Sequence, residues 1–147
     1  MSFIGHKEGR PSINIRRQRE QSGRLAEFVA ALLLCLKGYR ILARRYRSKL
    51  GEIDLIAVRG RRLAFVEVKR RPTMEAAEAA KTIRQARRIA RAAEQWVWRH
   101  PAYRDYEIGL DAMLIVPGHL PRHQPNALQP ASVLQNRTGL PALIGIT

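Results

Sequence analysis

An α/β domain is what this sequence predicts, and three observations predict it. A stretch of apolar helical periodicity at residues 20–37 closes on a glycine, Gly38. Gly51–Arg71, reading GEIDLIAVRGRRLAFVEVKRR, looks like two short strands joined by a tight basic turn. A long amphipathic helical stretch then leads to a strand with apolar residues on both sides. A chain of 147 residues suits one domain with one core.

Residues 1–18 are polar, basic and without periodicity, and read as a flexible arm before a domain at 19–128. The helix at 20–37 is apolar nearly all round, with Leu25, Phe28, Val29, Leu32, Leu33, Leu34 and Leu36, so it is expected to be mostly buried. Glu27 is its exception. A carboxylate there needs a partner, a metal or an opening; otherwise it sits near an exposed first turn, where the helix dipole favours it. Tyr39–Tyr46 reads as an edge strand around Ile41-Leu42-Ala43, and Ser48–Leu50 as a turn. Strands follow at Glu52–Val58 and Leu63–Arg70, the second stopped by Pro72.

Residues 75–99 read as one helix ended by His100-Pro101. Arg84, Arg87, Arg88 and Arg91 fall on one face, with Ala86, Ala90, Ala93 and Val97 opposite and Ile83, Ile89 and Trp96 on the flanks. A solvated face normally mixes signs, and four arginines without an acidic partner point instead to phosphate contact. Glu107–Val116 reads as a central strand. Four prolines break up Pro117–Pro130, and the structure of the tail at 129–147 stays open.

Lysine plus arginine number 27 against 12 acidic residues, a net charge of +15. Such a charge attracts polyanions, nucleic acid first and an anionic membrane surface second. The helix at 75–99 argues against a membrane, because its alanine face would bury little in lipid. Cys35 stands alone, so no disulfide forms within the chain, and it reads as a buried small hydrophobe. The longest apolar run, Phe28–Leu36, is too short to span a bilayer, and no signal peptide is recognisable at the start. These features fit a cytoplasmic protein.

The chemistry lies in the hairpin. With Gly60-Arg61 as a two-residue turn, Arg59 pairs with Arg62, Asp54 falls opposite Glu67, and Glu52 opposite Lys69. Alternation then puts Glu52, Asp54, Glu67 and Lys69 on one face, and Ile53, Leu55, Ala57, Ala64, Val66 and Val68 on the other. Opposed carboxylates repel unless a divalent cation sits between them. Magnesium would suit such a pair, with Lys69 placed to orient a water or stabilise a transition state. The plain alternative is a half-exposed sheet with a surface Glu52–Lys69 ion pair of little worth.

Asp54, twelve residues, then Glu67-Val68-Lys69 resembles the signature of the PD-(D/E)XK nuclease superfamily. The run Gly51-Glu52-Ile53-Asp54-Leu55-Ile56-Ala57, with Phe65-Val66-Glu67-Val68-Lys69-Arg70-Arg71, looks like the YraN-like family, which is related to archaeal Holliday-junction resolvases. Gly23, Glu27, Gly38-Tyr39 and Ile41-Leu42 also match, and the likeness covers roughly residues 20–128. It implies a restriction-endonuclease-like fold, a mixed β-sheet flanked by helices in the order α-β-β-β-α-β. It implies Asp54 and Glu67 as metal ligands, joined by the Val68 carbonyl, Lys69 as the catalytic lysine, and Glu27 as the first-helix glutamate supporting the metal. Two departures stand out. Ile53 replaces the proline of the superfamily name, and Gly109-Leu110 precede Asp111 where the family usually shows arginine and an aromatic, so any role for an arginine there is lost.

The expected function is therefore a magnesium-dependent endonuclease acting on DNA phosphodiesters, with manganese able to substitute and selectivity for DNA structure allowed. The alternative is a nucleic-acid-binding protein on the same fold without significant catalysis, as fold alone does not carry activity. Junction-cutting enzymes often work as dimers, so a homodimer is compatible with the resemblance, though no interface is marked.

Overall fold

The computed structural model describes residues 13–80 and 82–129; residues 1–12 of the expected arm, and the tail beyond Gln129, lie outside the described residues. A helix, α1 (Ile13–Leu36), precedes β1 (Arg40–Ser48), β2 (Gly51–Arg59) and β3 (Arg62–Arg70). Two helices follow, α2 (Met74–Ala79) and α3 (Ile83–Arg99), then a 3-10 turn at Pro101–Tyr103, β4 (Glu107–Ile115) and a short β5 (Arg122–Gln124). The five strands form one sheet in sequence order. β3 and β4 run parallel, joined by the crossover through α2 and α3, and the other neighbours are antiparallel.

Both faces of the sheet are covered. On one, Ala30, Ala31 and Leu34 of α1 pack with Leu55, Ala57, Ala64, Val66 and Met113. On the other, Ala86, Ile89, Ala93 and Trp96 of α3 pack with Ile56, Val58, Leu63, Phe65, Ala112 and Leu114. The hairpin's polar face is thus apolar near its turn and polar only at its open end. β4 is central and almost wholly buried, and β1 is an edge strand, both as predicted.

Five expectations change. The proline-broken stretch Pro117–Pro130 does hold a regular element, β5, which pairs along the edge of β4 between Pro121 and Pro125. The helix begins at Ile13, so residues 13–18 are helical rather than part of an arm, and Glu27 lies mid-helix, far from a first turn. That helix is not buried all round: Leu25, Phe28, Leu32 and Leu36 are exposed, as is Cys35. Only the stripe through Ala26, Ala30, Ala31 and Leu34 is buried, and no described element lies over the outer side. The helix expected at 75–99 is two helices. Thr73 caps the first by accepting from the Ala76 N–H, and Thr82 caps the second by accepting from the Gln85 N–H; a threonine three residues before a glutamine is a helix-start signal. Finally, Ile83 is exposed while Ile89 and Trp96 join the core, because α3 turns its small-residue face towards β2.

Candidate functional site

The two-residue turn fixes the register on which the site depends. Gly60 takes φ +56, as the first position of a type II′ turn requires, and the ladder runs from Arg59↔Arg62 to Leu55↔Val66. It stops there. The ladder does not continue to the expected Asp54–Glu67 pair or to the Ile53–Val68 pair after it; Val68 donates its N–H to Asp54 Oδ2 at 2.7 Å. In an extended strand the N–H and C=O of one residue lie on the same side, so the Val68 carbonyl of β3 points the same way as the N–H that Asp54 receives. Where the strands part, a cleft of about 200 Å³ opens, lined by Glu52, Asp54, Glu67, Gln85, Arg88 and Ile89.

Lys69 lies behind the cleft lining, bonded to two residues of that lining, Glu67 and Gln85. It is 3% exposed, and its ammonium donates to Glu67 Oε1 and to Gln85 Oε1, both at 2.7 Å. The expected Glu52–Lys69 pair does not form: the two strands have separated by that point, and Glu52 instead meets Arg47 of β1 at 3.5 Å. Gln85 is a site residue that the hairpin pattern could not reveal, because it comes from α3; the Thr82-to-Gln85 cap was the available signal.

The cleft holds excess negative charge. Burial is the largest influence on Asp54; together with the neighbouring Glu67, Glu27 and Glu52 carboxylates, it outweighs the Val68 hydrogen bond and pushes the acid up to about 6. Glu27 is near enough to act on Asp54 electrostatically, but its carboxylate is held by Arg45 at 2.6 Å. Arg45 itself sits at φ +51 in β1, past a register shift between Ile41 and Ala43. Among the described residues no group of three or more His, Cys, Asp or Glu side chains is placed to share a metal ion. What remains is a donor set of two carboxylates and one backbone carbonyl. That set fits magnesium, which takes one or two carboxylates and completes its shell with water and substrate oxygens.

The arginine face is present. Arg84, Arg87, Arg88 and Arg91 are all exposed on α3, and Arg88 reaches the rim of the cleft.

A second charged cluster lies on the opposite face, around Asp111, which is 0% exposed. Arg62 of β3 crosses over Gly109 and grips both carboxylate oxygens, at 2.7 and 2.9 Å. His123 donates from Nε2 at 2.8 Å and the Asn126 N–H at 2.9 Å. Lys37 donates to His123 Nδ1, which fixes that tautomer. Burial would raise the Asp111 acid, but the hydrogen bonds from His123, Arg62 and Asn126 hold it below the usual carboxylate range. The expectation that no arginine serves this strand is corrected. Alternation with the parallel register of β3 and β4, where Ala64 faces Gly109, lets Arg62 supply it from next door.

The family model described as "Uncharacterised protein family UPF0102" matches residues 26–115. The chain belongs to the UPF0102 family. A UPF0102 protein of Rhodopseudomonas palustris (strain BisB18) is 51% identical over 107 residues, covering 73% of this chain and 79% of that one. One from Methylorubrum extorquens (strain PA1) is 48% identical over 114 residues, covering 78% and 89%. One from Parvibaculum lavamentivorans is 45% identical over 124 residues, covering 84% and 92%. The UPF0102 match takes in Glu27, the whole hairpin, α3 and Asp111, and stops before β5 and His123. Among the described residues no helix is long and apolar enough to cross a membrane.

Proposed function

We propose that the chain is a divalent-metal-dependent nuclease of the PD-(D/E)XK type on a restriction-endonuclease-like core, cutting phosphodiester bonds in DNA. The observation that carries this reading is one cleft lined by Asp54, Glu67 and Arg88 of the α3 arginine face, with the buried Lys69 bonded to its Glu67. Asp54, Glu67 and the Val68 carbonyl would hold Mg2+, with Mn2+ able to replace it. Bound there, the metal would supply Lewis-acid charge and a more acidic water. Lys69, its ammonium fixed against Glu67, would supply positive charge to a phosphate bound at those ligands, where negative charge grows as the bond breaks. Arg84, Arg87, Arg88 and Arg91 bind the backbone and orient it, without reading bases. Glu27 acts from outside the ligand set, through its charge on Asp54 and its hold on Arg45.

Purified protein incubated with branched, flapped and linear DNA plus Mg2+ or Mn2+ is expected to cleave, and Glu67→Ala to lose at least about a hundredfold in rate. No cleavage by the wild type, or undiminished cleavage by Glu67→Ala, sinks the reading. A nucleic-acid-binding module without catalysis is the second reading, favoured by Glu27 standing apart from the two other carboxylates. Under it, binding survives Asp54→Asn and Glu67→Gln. Under both readings, replacing Arg84, Arg87 and Arg88 by alanine lowers the salt slope of binding by roughly one for each phosphate left without its arginine.

A further inference from the structure

We infer that Gln85 is the positioning residue for Lys69, an inference that rests on the nuclease reading for its kinetic meaning but not for its geometry. The buried ammonium donates to two acceptors, Glu67 Oε1 and Gln85 Oε1, at equal distance. They are not equivalent. A Glu67 carboxylate recruited as a metal ligand must divide its oxygens between the cation and the lysine. The Gln85 amide is neutral and has no part in the ligand set, so it holds the ammonium whether or not metal is bound. It also leaves the lysine's charge uncancelled, available to a developing oxyanion.

The amide's orientation is fixed by chemistry. A lysine ammonium only donates, so the carbonyl oxygen of Gln85 must face it and the NH₂ must point away. The backbone beneath is fixed as well. Gln85 occupies the first turn of α3, and its own N–H is held by the Thr82 side chain. The break between α2 and α3 therefore has a use: a continuous helix from 74 to 99 would have no free first turn at which Thr82 could clamp residue 85. Ile89, one turn on and buried at the cleft wall, anchors the same face of the helix.

Gln85→Met removes the acceptor at nearly unchanged volume and helix propensity, and Gln85→Glu keeps an acceptor of the same reach. Two readouts test the role. First, in metal-free protein, acetylation of Lys69 by an N-hydroxysuccinimide ester, followed by peptide mass spectrometry, is expected to quicken several-fold in Gln85→Met and to stay near wild type in Gln85→Glu. Second, Gln85→Met is expected to lower kcat by about ten- to a hundredfold, the scale for losing the partner that orients a functional ligand, with KM within twofold of wild type and much of kcat recovered in Gln85→Glu. Unchanged Lys69 labelling in Gln85→Met overturns the assignment, even if the wild type cleaves nothing. If the wild type cleaves and Gln85→Met cleaves as fast, the positioning role falls while the nuclease reading stands.

Discussion

Gly109→Ala is expected to destabilise the fold by about 3 kcal/mol, close to the lower bound for breaking a buried ion pair, and to lower Tm by roughly 10 °C for a chain of this size. A methyl at this position would overlap Arg62 Nη2 and lie 2.5 Å from its Cζ. The steric conflict alone is cheap, because a guanidinium is the far end of a flexible side chain. The cost is electrostatic. Once Arg62 swings away, Asp111 stays fully buried with only His123 and the Asn126 N–H to hold its charge. Burial then counts for more, and the Asp111 acid rises. In the wild type its folded value lies below the ordinary 3.8. The stability it lends is therefore complete above the unfolded value and fades as pH falls through the folded one. In Gly109→Ala that loss begins at higher pH, so acid unfolding should move upward. A thermal and acid melt of the single variant, of Arg62→Met and of the double variant checks this. In the Arg62→Met background the alanine should add under about 0.5 kcal/mol, since the group it displaces is gone. An additive double variant would remove Arg62 from the explanation.

How much of this was legible in the sequence depends on the range of the interaction. The hairpin register was, because a two-residue turn and a period of two fix every cross-strand pair from Arg59↔Arg62 to Leu55↔Val66. The arginine face of α3 was, because helical geometry alone places those four residues. What local pattern could not give was where the ladder ends. Sequence continued it to Glu52 and Lys69, whereas Asp54 captures the Val68 N–H and Glu52 turns to Arg47. Partners from distant elements were equally hidden. Gln85 reaches Lys69 only after the α2–α3 crossover folds back, and Arg62 reaches Asp111 only through the parallel β3–β4 register. The apolar face of α1 misled for a different reason: hydrophobicity on all sides of a helix states that cover is wanted, not that this sheet supplies it. Phe28 and Leu36 stay 55% and 77% exposed.

Asp54→Asn is expected to make the protein more stable while removing its response to metal, a pairing of effects that distinguishes a functional carboxylate from a structural one. Asparagine keeps an oxygen for the Val68 N–H, so the local strand geometry survives. It removes a charge that the fold tolerates poorly. Burial first, then Glu67, Glu27 and Glu52, push the folded acid from 3.8 to about 6. The folded state thus holds its extra proton over that interval. The stability linked to protonation is fully present below the unfolded value and is lost as pH rises through about 6. At pH 7 the ionised group costs on the order of 2 to 3 kcal/mol. Asp54→Asn should therefore raise Tm by about 7 to 10 °C at pH 7 and hardly change it at pH 4, where both folded proteins are neutral at this position. Mn2+ reverses the comparison. An ion that binds only the folded wild type stabilises it by RT ln(1 + [L]/Kd), more strongly above pH 6 than below, because proton and metal compete for the same oxygen. The variant should show no such rise. Thermal melts of both proteins at pH 4, 5, 6, 7 and 8, with and without Mn2+, decide the matter. If Asp54→Asn melts no higher than wild type at pH 7, the crowding of carboxylates in the cleft is not what raises Asp54. If it keeps the wild-type response to Mn2+, Asp54 is not a ligand, and the two-carboxylate site loses the member that the hairpin register was built to bring beside Glu67.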